Sequence, residues 1–379
     1  MSARSSNGPG IAIRVFGSQW FVSVLAVLIA FVIGAILIAL SGASVVDAYY
    51  AMFRGSIVDP NAANAVRMIK PLTDSLFYSI PLIISGLGLA LGFRAGLFNI
   101  GGKGQIIVGA LAAVWVGFSV SLPPVVHTLV ALLVAVVAGG LYGGIAGVLK
   151  AKTGANEVIV TIMLNSIATL GLGYTLAQKA WQVPGTNQPV TPKVAESAAL
   201  ARLLPAPFKL HVGFLVALVA LVAFWWLIER STLGFQIRAV GANAAAARTA
   251  GISVERITAI TMVISGAFLG LAGANEALGT IGYVSRDVAG SIGFDAITVA
   301  LLGRNKTWGT FGAGLLFGAF KAGGYTMQAK GVPIDMILIL QSVIVLLIAA
   351  PALVRWLFRL PDVRALAANT RKGNADEHK

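Results

Sequence analysis

Apolar residues gather into ten runs along the chain, at about 20–40, 74–93, 98–120, 124–149, 157–178, 211–228, 257–278, 292–303, 309–328 and 334–354. All but 292–303 approach the ~20 apolar residues that a bilayer-crossing helix needs. The pattern predicts an all-α polytopic membrane protein of about ten transmembrane helices. It divides the chain into an N-terminal tail over 1–19, a membrane domain over 20–355 and a C-terminal tail over 356–379. Two groups of runs, about 74–178 and 257–354, have similar length. If the chain starts inside and crosses ten times, the first group enters the cytoplasm where the second leaves it. Two such units form an inverted repeat, an arrangement common in transporters.

Each unit carries one glycine-interrupted, polar-bearing element: "GFRAGLFNIGGKGQ" over 92–105 and "GSIGFDAITVALLGRNKTWG" over 290–309. Broken elements at corresponding positions point to a transport path; the plainer reading is that both are glycine-rich loops. Glycine pairs at helical spacing, Gly139/Gly143, Gly140/Gly144, Gly266/Gly270 and Gly314/Gly318, predict close helix packing and no chemistry.

Composition agrees with the membrane reading. The 379 residues are 57% hydrophobic and 11% charged, against about a quarter charged in soluble domains. The net charge of +14 follows from Lys and Arg flanking the bilayer. Arg94, Lys150, Lys152, Arg230, Arg238, Arg248, Arg256, Arg304 and Lys306 all fall in loops that ten crossings put inside. No basic patch is interleaved with aromatics, so nucleic acid is not an expected partner. Cysteine is absent, which removes thiol chemistry, disulfides and cysteine-ligated metal. The N-terminus lacks the short apolar core and cleavage site of a signal peptide, and both termini are expected in the cytoplasm.

No catalytic constellation is legible. Histidines occur at 127, 211 and 378 alone, and neither H-E-x-x-H nor G-x-S-x-G is present. "GGKGQ" over 101–105 fails as a phosphate loop, because Gly104 follows Lys103 where a hydroxyl is needed. Neither a metal nor a cofactor is expected. Ionisable residues in or beside the spans are Glu157, Glu276, Asp295, Lys321 and Asp335; charge in lipid is costly and marks each as a candidate. Glu157, Glu276 and Asp335 stand near segment ends, where capping explains them, and Lys321 can snorkel. Asp295, inside the short element, either lines a path or pairs structurally. Asn99, Gln105, Asn165 and Asn275 either hydrogen-bond a polar solute or tie helices together.

Residues 230–256 are polar between two apolar runs. In "GANAAAARTAG", Asn243 is a good N-cap, Ala244–Ala250 favour helix and Gly251 suits the C-terminal cap. Arg248 falls in the last turn and complements the helix dipole. The predicted helix has about two turns, too few to stand alone in water. Its bare alanine face suits docking against another protein; the alternative is a loop resting on headgroups.

The segments "GLFNIGGKGQIIVGA", "ANEVIVTIMLNSIATLGLGY", "LGFQIRAVGANAAAARTAGI", "SGAFLGLAGANEALG" and "GFDAITVALLGRNKTWGTFGAGLLFGAF" together resemble the permease subunits of bacterial ABC importers. The closest likeness is to the simple-sugar and nucleoside group of the branched-chain amino acid/ribose permease family, and it covers about 75–355. The resemblance implies a vitamin-B12-importer-like fold in the bacterial cytoplasmic membrane. It implies a second permease, identical or related, separate ATPase subunits and an extracytoplasmic substrate-binding protein. It also implies a coupling helix between the repeats, matched here by Arg238, Gly241, Asn243, Ala246, Ala247 and Gly251, with Arg248 beside them. Lys103 stands where members of the group usually carry an acid. The function expected is inward passage of a nucleoside or simple sugar, with ATP hydrolysis in a partner subunit and none in this chain. The alternative is an ion-gradient-driven secondary transporter of a small polar solute, disfavoured by the scarcity of acids within the spans.

Overall fold

The computed structural model of the chain describes residues 19–333 and, beyond them, 336, 338, 339, 342, 343, 346 and 347. The tails, Asp335, His378 and most of the last apolar run therefore lie outside the described residues. The described residues are helical apart from connecting segments and one isolated bridge between Arg202 and His211. In chain order the helices are α1 (Gln19–Leu40), α2 (Val45–Ser56), α3 (Ala65–Arg94), α4 (Gly102–Ser119), α5 (Val126–Thr153) and α6 (Glu157–Ala177). There follow α7 (Gly213–Arg230), α8 (Thr232–Ala242), α9 (Ala244–Thr249), α10 (Val254–Asn275), α11 (Ile292–Leu302) and α12 (Thr307–Gln328). Among the described residues six segments, α3 to α7 and Val254–Ile281, are long and apolar enough to cross a membrane, and α11 is shorter.

Two compact units arise, one of residues 52–326 and one of residues up to Ala51 with those from Met327. Within the second unit, the Tyr49 hydroxyl donates to the Phe31 carbonyl, fastening the start of α2 to α1.

Helix starts follow cap chemistry. Asn64 accepts from the Arg67 N–H at 2.9 Å, Asn156 from Val158 at 2.9 Å, Ser231 from Gly234 at 2.9 Å and Asn243 from Ala245 at 3.0 Å. Each satisfies an N–H that the first helical turn leaves open. The expected apolar run at 74 is entered earlier than hydropathy suggests: α3 begins at Ala65, and a Lys70–Asp74 pair one turn apart supports its polar first turns. Thirty residues make α3 about 45 Å long.

The core of the larger unit is built on backbone contact. α10 packs on α5 where their glycines face one another: a Cβ on Gly266 would stand 2.3 Å from the Gly139 carbonyl oxygen, and one on Gly270 2.3 Å from that of Ala135. Gly314 and Gly318 of α12 meet Ile83 and Ser75 of α3 in the same manner. Small residues at these positions let helices gain dispersion contact where lipid supplies no hydrophobic drive.

The two ends of this unit are distinct. At one, the Arg94 guanidinium donates to the Asn305 carbonyl at 2.7 Å, approaches Glu229 at 4.0 Å, and the Arg94 carbonyl lies under Gly241. At the other, residues 191–200 lie across the helix ends: Ala195 N–H donates to Gly117, Val194 to Gly282 and Leu200 to Leu278, at 2.8–3.0 Å. His127, fully buried, bridges Ser197 Oγ at 2.9 Å and the Val116 carbonyl at 3.0 Å there.

Candidate functional site

The first broken element is a non-helical loop, Ala95–Gly101, between α3 and α4. Such a loop leaves peptide groups without helical partners, and at membrane depth side chains must supply them. Three of the predicted amides do so. Asn99 Nδ2 donates to Gln105 Oε1 at 3.0 Å and to Ser265 Oγ of α10 at 2.9 Å, while its Oδ1 accepts from the Gly101 N–H at 2.9 Å. Gln105 Nε2 returns a bond to Asn99 Oδ1 at 3.2 Å. Asn165 of α6 accepts from the Gly104 N–H and donates to the Ile100 carbonyl, both at 2.8 Å. The loop is further held by Thr161, whose hydroxyl accepts from the Ile100 N–H at 3.3 Å. Glu157, half of a pair with Lys150, accepts from the Phe98 N–H at 3.3 Å. Ser265 and Thr161 were not among the residues singled out from the sequence; both stand in apolar helices with nothing local to mark them.

The second broken element meets the first. Gly293, in the first turn of α11, lies against the backbone of Lys103 in the first turn of α4. A Cβ there would fall 2.5 Å from the Lys103 nitrogen, and one on Gly102 3.1 Å from the Gly293 carbonyl oxygen. Two short helix starts thus abut, one from each expected repeat.

Asn275 and Asp295 lie apart from the amide network. Asn275 is fully buried at the end of α10; its Nδ2 donates to the Gly213 carbonyl at 3.3 Å and its Oδ1 has no partner. The helix then widens into a π-turn, Glu276–Ile281, that ends at Gly282 with φ +82°. His211, 1% exposed, accepts from the Gly213 N–H through Nδ1 at 3.1 Å, so the proton sits on Nε2, which is buried without a partner. Burial pushes its imidazole down to about 4. Asp295, half-buried in the first turn of α11, accepts from Ser291 Oγ at 2.6 Å. Among the described residues no cluster of metal-binding side chains is present.

The polar stretch at 230–256 folds as two short helices, α8 and α9, joined at Asn243. Asn243 accepts from both Ala245 and Ala246, and Gly251 takes φ +82° after the last turn. Arg248 Nη2 pairs with Glu255 at 2.6 Å on the surface. Ala246 is exposed, whereas Ala247 is 4% exposed and packed within the chain. Arg238 is inserted far enough that its Nη1 is buried without a partner. Gly241 admits no side chain, since a Cβ would stand 2.0 Å from the Arg94 carbonyl oxygen. A groove of about 540 Å³ runs between the two helices, lined by Phe235, Ala239, Ala242, Asn243, Ala246 and Ile252. The stretch therefore presents an apolar groove outward while Gly241 seats it on the start of the Ala95–Gly101 loop.

Comparison with known proteins fits these features. The chain is 40% identical over 349 residues to the guanosine ABC transporter permease protein NupP of Bacillus subtilis, covering 89% of this chain and 95% of that relative. It is 31% identical over 360 residues to the nucleoside ABC transporter permease protein NupB of Lactococcus lactis, covering 92% and 95%. It is also 35% identical over 333 residues to the glucose ABC transporter permease protein TsgB13 of Haloferax volcanii, covering 85% of each. No solved structure matches the chain. The family described as branched-chain amino acid transport system / permease component matches residues 72–349. The chain belongs to that family and is a permease subunit of an ABC transporter, not an enzyme.

Proposed function

We propose that the chain forms the translocation path of an importer for a nucleoside or simple sugar in the bacterial cytoplasmic membrane. The observation that carries this reading is the 40% identity to a guanosine permease across nearly the full length of both chains. The glucose relative widens the class, and a ribonucleoside and a hexose share a neutral, hydroxyl-rich ring. A second permease, alike or related, completes the path, and an extracytoplasmic binding protein delivers the solute.

In this reading about ten helices form two inverted repeats, about 74–178 and 257–354, with both termini in the cytoplasm. Support comes from the meeting of the two broken elements at Gly102 and Gly293, and from the glycine contacts α5–α10 and α3–α12, each joining the first helix of one repeat to the third of the other. Asn99, Gln105 and Asn165 frame the path by holding its broken loop, while Asn275 and Asp295 stand nearer the solute. Arg238, Gly241, Asn243, Ala246, Ala247, Arg248 and Gly251 form the coupling stretch that meets the ATPase. The groove between α8 and α9 and the seating of Gly241 under Arg94 support that role.

The test is ATP-driven uptake by vesicles that hold the chain with its ATPase, second permease and binding protein. Radiolabelled guanosine is expected to accumulate, with glucose as the comparison solute. Accumulation of neither overturns the cargo class.

A further inference from the structure

One face of the larger unit carries charge where lipid would otherwise lie. Tyr325 of α12 is 45% exposed, and Lys321, one turn before it, is half-buried. Tyr78 of α3 stacks obliquely on Tyr325 with ring centroids 5.4 Å apart. Asp295 of α11 is half-buried, and Glu276 of the π-turn is 9% exposed. The Lys321 ammonium lies within electrostatic reach of both carboxylates, and Tyr78 within reach of Glu276 and Asp74. Yet the carboxylates are not closed into ion pairs: Glu276 accepts only a long 3.4 Å bond from Thr280 Oγ1, and Asp295 is held by Ser291. Among the described residues no salt bridge joins Lys321 to either.

A structural charge cluster in a membrane protein is normally sealed and paired. This one is unpaired, and at Asp295, Lys321 and Tyr325 it is partly open. Its members come from four separate elements, α3, the π-turn, α11 and α12, and its outer half is open. Snorkelling accounts for a lone lysine, but not for two carboxylates and a tyrosine pair beside it. A π-turn at the point where Glu276 enters adds a local distortion of the kind that collects at functional sites.

We propose that Glu276, Asp295, Lys321, Tyr78 and Tyr325 line the aqueous path and contact the solute, a neutral polyhydroxylated molecule with one flat face. This rests on the importer reading above and assigns it a surface. The carboxylates accept from hydroxyl groups, the ammonium donates to ring or hydroxyl oxygens, and the two rings offer a stacking platform. Two acids beside one lysine leave no excess of positive charge, which suits a neutral solute.

The chain is free of cysteine, so accessibility can be measured directly. Lys321→Cys, Tyr325→Cys and Asp295→Cys are each introduced into the assembled transporter and treated with a charged, water-soluble methanethiosulfonate. Leu170→Cys and Val219→Cys, at apolar positions 74% and 68% exposed, serve as lipid-facing controls. Since the thiolate is the reacting species and needs water, the face is expected to label at least about tenfold faster than the controls. Guanosine is expected to slow that labelling. Because Tyr325 is the most open of the five, its variant carries the measurement if the others fail to assemble. Labelling no faster than the controls overturns the proposal whatever the cargo, since the reaction needs none. Fast labelling that guanosine leaves unchanged, in a transporter whose unmodified form imports guanosine, also overturns it, by making the face wet but off the path. If the unmodified form imports no guanosine, the nucleoside reading fails separately, and protection by glucose then supports the face.

Discussion

His211 is a side chain whose burial has a measurable consequence. Its Nδ1 accepts from the Gly213 N–H, and its Nε2 lies against Gly279 with no acceptor. Protonation would put a charge where no partner exists, so the folded group titrates near 4 against an ordinary 6.5. Between those values the unfolded chain binds a proton that the folded chain does not. Stability is therefore intact above pH 6.5 and falls as pH drops toward 4, by on the order of 3 kcal/mol at most. We expect the detergent-solubilised protein to lose thermal stability from pH 7 to 4.5, and His211→Gln to lose less; equal losses would remove His211 from the account. Some residues disclose such roles in sequence and others do not. Asn243 is legible because a cap acts on the next three residues. Asn99 left two readings open because its partner Ser265 is 166 residues away, and no local pattern reports a bond of that span.

The elements show the same division. Apolar periodicity located α1, α4 to α7 and α10 to α12 within a few residues, since their burial pattern is written along each helix. α2, the polar start of α3 and the π-turn were not visible, because length and hydropathy do not mark them. The α8–α9 pair was half visible: the alanine helix follows from its cap, whereas the groove beside it depends on how two helices cross. Exposure separates two residues which the sequence treats alike. Both line the groove, but Ala246 is exposed whereas Ala247 is 4% exposed. A bulky residue at 247 therefore disturbs folding first, and 246 is the clean probe of the partner. We expect Ala246→Trp to leave membrane insertion intact and to weaken co-purification of the ATPase. Overpacking a close contact costs roughly 1–3 kcal/mol, so a loss of about five- to a hundredfold in affinity is expected. Wild-type co-purification together with wild-type solute-stimulated ATP turnover would show that the groove is not the docking surface.

At the scale of the whole molecule, the proposed import direction depends on which end of the larger unit faces the cytoplasm. The end that gathers Arg94, Gly241 and Asn305 also carries Lys150, Arg230 and Arg248 in the last turns of α5, α7 and α9, and Arg304 in the segment after α11. The other end is crossed by residues 191–200 and holds fewer basic side chains, with Glu196 exposed among them. Basic residues are retained on the cytoplasmic side during insertion, and the proposed orientation therefore puts the first end inward. The orientation has a mechanical meaning. Gly241 sits on the Arg94 carbonyl, Arg94 leads into the Ala95–Gly101 loop, and that loop ends at Gly102 against Gly293. On the proposed docking, a displacement of α8 by the ATPase would pass through the close backbone contacts at Gly241 and Gly293 to the place where the two broken elements abut. The arrangement works only if α8 and α9 lie on the ATP side. Glu196→Cys and Ala245→Cys, both at exposed positions of this cysteine-free chain, report the two ends. An impermeant thiol reagent added to intact cells is expected to modify position 196 and to reach position 245 only after the membrane is permeabilised. Modification of both from outside, or of 245 alone, would invert or break the topology and with it the route from ATPase to path.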